Sequence, residues 1–155
     1  MTELPSGPVR LVGDIGGTNA RFAVLDDDGV PVRPATLRVD DFPSLAAAVR
    51  TFVAESGIEN VKFAAVAVAN PVTGDRIKLT NNHWALSIEE TRESLGLEEL
   101  HVVNDFTALA MSLPHLARGE LQAIGGGEGV ADRTLAVIGP GTGLGVSGLV
   151  PCGTS

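Results

Sequence analysis

Apolar and polar positions change period several times along the chain, and each change marks an element. Val9 to Ile15 and Ala20 to Leu25 read as two strands joined by the turn Gly16-Gly17-Thr18-Asn19. Asp26 to Gly29 is a polar turn, and Val30 to Val39 a third strand whose prolines suit a sheet edge. A helical period follows, with Leu45, Val49, Phe52 and Val53 on one face. Asp41 is placed to cap that helix, Pro43 lies near its first turn and Gly57 terminates it. Val61 to Ala69 is almost wholly apolar, the pattern of a central buried strand. Asn70-Pro71 and Thr73-Gly74-Asp75 turn the chain into the alternating segment "RIKLT". "SIEE" at 87–90 has the form of a capping box, opening a helix that ends near Gly96. Leu100 to Val103 reads as a strand and Phe106 to Leu113 as a helix.

This order of three strands, helix, strand, helix, strand, helix predicts an α/β layout that starts with an antiparallel meander. A Gly-rich loop follows, and two more strands, Leu135 to Ile138 and Val146 to Val150, flank "GPGTGLG". The segment "IGPGTGLGVSGLV" echoes "VGDIGGTNARFAV", so an internal repeat is expected.

Composition narrows the choices. The 155 residues are 44% hydrophobic, enough for a sizeable core, and aromatics are scarce, so Val, Ala and Leu must fill it. The formal net charge of −8 argues against nucleic acid or an anionic membrane as main partner, since both need basic patches. The single cysteine, Cys152, allows no internal disulfide, which fits a reducing cytosol. "MTELPSGPVR" lacks the apolar core of a signal peptide, and no apolar run reaches the ~18 residues of a membrane span.

The candidate chemistry sits in three polar clusters. In the first, glycines let backbone N–H groups converge on an anion, and Thr18 adds a hydroxyl. Asp14 would repel a phosphate unless a cation lay between them, which implies Mg²⁺ held through water. A plain tight hairpin explains the same glycines. A P-loop is excluded, because neither Lys62 nor Lys78 follows a glycine. Gly143, Gly145 and Gly148 match G-x-G-x-x-G, but a strand follows them where the dinucleotide fingerprint needs a helix.

The second cluster, Asn104-Asp105, lies where a strand gives way to a helix, at the carboxyl end where α/β folds collect ligands. Asp105 can accept a proton from a substrate hydroxyl that Asn104 positions; equally, Asp105 can be a helix cap. Phosphoryl transfer asks little of such a base, because its loose transition state needs little early proton removal. In the third cluster, "LTNNHWAL", Trp84 and its amide neighbours can form a sugar surface, but a structural role for Trp84 and His83 is favoured.

Taken in order, "LVGDIGGTNARFAVLD", "PVTGD", "LTNNHWALSIEE", "NDFTALAMSLP" and "GPGTGLGVSGLV" resemble the N-terminal half of bacterial ATP-dependent glucokinases, of the hexokinase–actin superfamily. The resemblance runs from Val9 to Val150. It implies a ribonuclease H-like, actin-like ATPase domain, followed by the first hairpin of a second, truncated lobe. By position, residues 1–113 would be the small lobe, 114–133 a connecting loop and 134–155 the start of the second lobe.

The resemblance implies further that Gly13, Asp14, Ile15, Gly16, Gly17 and Thr18 form the first phosphate turn around ATP, with Asp14 held to Mg²⁺ through water. Gly141, Thr142 and Gly143 would belong to the second phosphate turn. Asn104 would bind a hydroxyl of D-glucose, and Asp105 would be the general base for the attacking 6-hydroxyl. A cytoplasmic enzyme, a homodimer, and no nucleic-acid or membrane partner complete the expectation. Family members are about twice as long and carry, past the second hairpin, a Glu-Gly-Gly-His segment and a further Glu that complete the sugar site. The chain is therefore expected to be a fragment, poorly active or self-associating alone, because a second lobe of two strands is marginal and has open edges. The alternatives are a non-catalytic sugar- or nucleotide-binding remnant, a sugar-responsive repressor, which would need a DNA-binding segment ahead of Val9, and an actin-like ATPase that takes no sugar.

Overall fold

The computed structural model describes Pro5 and residues 7–127, 129–140 and 144–152. They fall into two compact units, Met1–Asp105 and Phe106–Ser155.

The first unit is built on a five-stranded sheet. Its strands are β1 (Val9–Ile15), β2 (Asn19–Leu25), β3 (Pro31–Arg38), β4 (Val61–Val68) and, after the helices, β7 (Glu99–Asn104). Their order is β3-β2-β1-β4-β7. β1, β2 and β3 form the antiparallel meander, while β4 and β7 run parallel to β1. β3 is an edge, as its two prolines foretell, because an edge strand can spare ladder donors.

One sheet face carries Leu11, Ile15, Phe22, Val24, Val66 and Val68, all buried. Helix α1 (Leu45–Glu55) lays Leu45, Ala48, Val49 and Phe52 on that face. The rings of Phe22 and Phe52 meet with centroids 5.6 Å apart, and burying a side chain like Phe52 contributes about 2–3 kcal/mol. Helix α2 (Ile88–Leu95) joins the same core through Ile88 and Leu95. The two-stranded ribbon of β5 (Arg76–Lys78) and β6 (Ala85–Ser87) leads into it.

Several expectations need correction. Ser44, not Asp41, caps α1, accepting from Ala47 N at 3.2 Å. The reason lies just upstream: Val39–Asp41 form a 3₁₀ turn held by Val39 N–H on Thr18 O at 2.9 Å, so the helix starts later. β4 is central, but Ala64, Val66 and Val68 are buried while Ala65 is exposed, so its apolar run is covered on one side. β6, at three residues, is too short to show a period in the sequence. The Ser87 cap does hold, accepting from Glu90 N at 3.1 Å, and Gly96 closes α2 at φ 67°.

In the second unit, β8 (Leu135–Pro140) and β9 (Leu144–Leu149) form an antiparallel hairpin with Gly139 opposite Gly145. Ile138, Leu144 and Val146 are exposed on it. α3 (Asp105–Ser112) begins on the last residue of the first unit. Among the described residues no helix is long and apolar enough to cross a membrane.

Candidate functional site

The sheet brings three of its parallel strands to a common end. Ile15 pairs with Val68, and Val68 pairs with Asn104, so the carboxyl ends of β1, β4 and β7 stand side by side. Ligands of open α/β sheets gather at such an edge. Asn104 is the last residue of β7 and Asp105 the first of α3, both half-buried. The Asn104 Nδ2 group donates to Asp105 Oδ1 at 2.9 Å and to the Asn70 carbonyl at 3.3 Å. The two amide protons are thereby committed, and the Asn104 side chain is fixed in orientation. The pair thus presents a held carboxylate beside a fixed amide, which suits binding and deprotonating a hydroxyl.

Asn70 holds the neighbouring strand end. It is 7% exposed, and its side chain donates to Lys78 O at 3.2 Å and accepts from Thr80 N at 3.0 Å. A buried amide with its polar atoms satisfied is a rigid anchor. In the sequence Asn70 reads only as a turn residue; the signal for more is an Asn closing a long apolar run.

The turn at 16–18 is the third part. Gly16 N–H closes it on Asn19 O at 2.9 Å, and Thr18 O accepts from Val39 N. Gly16 and Gly17 do not have positive φ. Gly17 is needed for close approach, because a Cβ there would lie 2.8 Å from Asn81 O. Asn82 Nδ2 donates to Gly16 O at 3.0 Å. The glycines therefore seat the turn on the 80–84 segment, a role the sequence did not show.

The remaining candidates occupy distinct places. Ile15 is 2% exposed, so any ligand contact it makes is through its backbone. Gly13 faces Phe22, whose ring would lie 3.0 Å from an added Cβ. Asp14 is exposed and pairs with Arg21 across the β1–β2 ladder at 3.0 Å. Gly141, Thr142 and Gly143 lie outside the described residues. Trp84 and His83 are structural: Trp84 is 1% exposed and its Nε1–H donates to Phe42 O at 2.9 Å, with His83 Nε2 on the same oxygen at 3.0 Å. No group of three or more metal-ligating side chains occurs among the described residues.

Comparison with known proteins shows what the chain as a whole is similar to. The family model described as Glucokinase matches residues 11–155. The glucokinase of Aromatoleum aromaticum is 56% identical over 146 residues, covering 93% of this chain and 44% of that protein. The glucokinase of Chromobacterium violaceum is 51% identical over 150 residues, covering 97% of this chain and 43% of that protein. The chain thus spans rather less than half the length of these curated relatives. A crystal structure of a glucokinase from an Antarctic psychrotroph superposes with a TM-score of 0.82 at 35% identity, over 94% of this chain and 47% of that one. A ROK family glucokinase from Streptomyces griseus shares the fold at a TM-score of 0.63 and 21% identity, over 92% of this chain and 44% of that one.

Proposed function

The chain belongs to the glucokinase family, and from that premise we propose that it supplies one wall of a glucokinase active site, which transfers the γ-phosphoryl group of ATP to the 6-hydroxyl of D-glucose. The observation that carries this reading is the placement of Asn104-Asp105 at the strand end beside the Asn70 anchor, on the sheet edge that β1 leaves to enter the 16–18 turn.

The chemistry follows from the parts. Asn104 fixes the sugar hydroxyl, and Asp105 takes its proton as the oxygen attacks the γ-phosphorus; the bond to the β–γ bridging oxygen breaks and ADP leaves. Positioning and charge stabilisation carry most of such a reaction. Gly17 and Thr18 approach the phosphates through backbone amides, Gly16 closes the turn with its own N–H on Asn19 O, and Ile15 and Gly13 shape the strand that delivers them. Asp14 is exposed and carries one oxygen on Arg21, a donor that suits a hydrated Mg²⁺. The ion would neutralise phosphate charge there.

The same reading assigns residues 1–113 to a small lobe, 114–133 to a connection and 134–155 to the start of a second lobe. Gly141, Thr142 and Gly143 then form the second phosphate turn. A homodimeric assembly and a cytoplasmic setting belong to the reading too, and rest on the family. The relatives' full length is about twice this chain, and the reading leaves further sugar and adenosine contacts to the part they have in addition.

The test follows glucose-dependent ADP release from MgATP, beside an Asp105→Asn variant, together with the backbone amide shifts of Asn104 and Asp105 as glucose is added. Glucose moving those amides, and a loss of a hundredfold or more in any turnover of the variant, are the expected results (on the order of what a general base contributes). ADP release that ignores glucose, or amides that stay still at saturating sugar, overturns the reading.

A further inference from the structure

We infer that Asn82, outside the turn itself, is the residue that aims the phosphate-turn amides; the inference rests on the reading of residues 14–18 as the turn that meets the phosphates of ATP. Asn82 Nδ2 donates to Gly16 O at 3.0 Å across 66 residues of chain. A trans peptide is planar, with its C=O and N–H pointing opposite ways. Holding the Gly16 carbonyl therefore sets the direction of the Gly17 N–H, away from Asn82. Thr18 O is held in the same way by Val39 N at 2.9 Å, which fixes the next-but-one peptide plane. Gly16 N–H is spent inside the turn on Asn19 O. Of the turn's donors, the Gly17 amide is the one whose direction depends on a side chain from elsewhere.

Asn82 is itself held. Its Oδ1 accepts from Trp84 N at 2.8 Å, so the amide cannot turn over without losing both bonds. Trp84 is anchored in the core through its Nε1–H on Phe42 O, and its carbonyl accepts from Leu79 N at 2.9 Å. The backing is also steric, since Gly17 rests against Asn81 O with no room for a Cβ. A rigid buried tryptophan, an oriented amide and a turn carbonyl thus form one line. Such preorganisation favours an anion without reorganisation on binding.

The experiment titrates MgATP into the ¹⁵N-labelled chain and into Asn82→Ala and Asn82→Asp, following the amides of Gly16, Gly17 and Thr18. Asn82→Asp keeps the acceptor for Trp84 N and loses the donor to Gly16; Asn82→Ala loses both and adds no charge. The expected result is that MgATP moves these amides in the parent chain, and that both variants bind about three- to tenfold more weakly, the loss of one oriented hydrogen bond. Asn82→Asp is expected to keep the parent's tryptophan emission, because the bond from Trp84 N remains.

Parent amides that move, with both variants binding as tightly as the parent, overturn the inference and leave the phosphate reading standing. A loss confined to Asn82→Asp assigns the effect to charge repulsion and also overturns it. A loss confined to Asn82→Ala and accompanied by early melting assigns it to folding and overturns it likewise. Parent amides that stay still at saturating MgATP overturn the phosphate reading, and the inference with it.

Discussion

Asn104 donates to the main-chain carbonyl of Asn70 at 3.3 Å, tying the end of β7 to the bend just past β4. The Asn70 side chain in turn holds Lys78 O and Thr80 N. One buried amide therefore links the Asn104-Asp105 pair to the segment that backs the glycine turn.

Asn70→Ala strips the side-chain bonds to Lys78 O and Thr80 N from a site that is 7% exposed, and leaves the main-chain carbonyl itself intact. Leaving buried partners unsatisfied costs about 1–3 kcal/mol. The unfolding free energy read from a urea titration is expected to fall by that amount, with the midpoint moving down in proportion. In addition, the glucose-induced shift of the Asn104 amide is expected to need more sugar, because the carbonyl that fixes Asn104 moves. A midpoint within error of the parent would show that the loop is held by other means.

Asp14 and Arg21 face each other across the ladder at 3.0 Å, with both side chains more than half exposed. An exposed pair of this kind contributes about 0–1 kcal/mol. Arg21→Gln is therefore expected to leave the melting temperature almost unchanged. It also frees an Asp14 oxygen, so under the proposed function half-saturation by Mg²⁺ at fixed ATP shifts to lower concentration. A large loss of stability would contradict the exposed geometry, and an unchanged Mg²⁺ requirement would argue against Asp14 as the ion's partner.

What the sequence reveals is local. β1 runs over the expected Val9–Ile15, and the Ser87 cap and Gly96 stop stand where the periodicity puts them. These features depend on neighbours a few residues apart, through alternation, a hydroxyl before a helix, or a glycine in left-handed conformation. The α1 cap falls at Ser44 and not at Asp41 because Val39 is tied to Thr18, a contact between neighbouring strand ends that no local pattern shows. Asn70 and Asn82 are silent in the sequence for the same reason: the partners that give them their roles, Lys78, Thr80 and Gly16, lie 8 to 66 residues away and leave no period. Asn104-Asp105 could be read only as far as a strand end; that it adjoins Asn70 follows from the β4–β7 pairing.

Acid should loosen the start of α2. Asp75 Oδ1 accepts from Glu89 N at 2.9 Å. A side-chain hydrogen bond from Ser87, and then the Glu89 amide, hold its carboxyl below the ordinary carboxylate value. A carboxyl depressed in the folded state stabilises it at pH above its unfolded value, and that contribution vanishes as pH falls through the folded value. Asp75→Asn is thus expected to be less stable than the parent at neutral pH and to match it once the pH is below the carboxylate range. Urea midpoints across that range check this; a constant gap down to the lowest pH would locate the effect in shape, not charge.

Glycine also sets a limit in the second unit. The Phe106 ring lies over the Gly139–Gly145 pair of the β8–β9 hairpin, and a Cβ on Gly145 would overlap three of its ring atoms. Gly145→Ala must therefore move the ring or the strand, an overpacking that costs about 1–3 kcal/mol. A Cβ on Gly148 would meet Leu135 O at 3.2 Å and no ring, so Gly148→Ala serves as the milder comparison. The hairpin amides are expected to exchange faster in Gly145→Ala than in Gly148→Ala. Phe106→Leu, which narrows the ring to a branched chain, is expected to recover part of that loss when combined with Gly145→Ala. In a double-mutant cycle the two substitutions then couple, since they share one contact. Additive effects would mean that the ring and the glycine do not touch in solution, and that Gly145 is required for strand conformation alone.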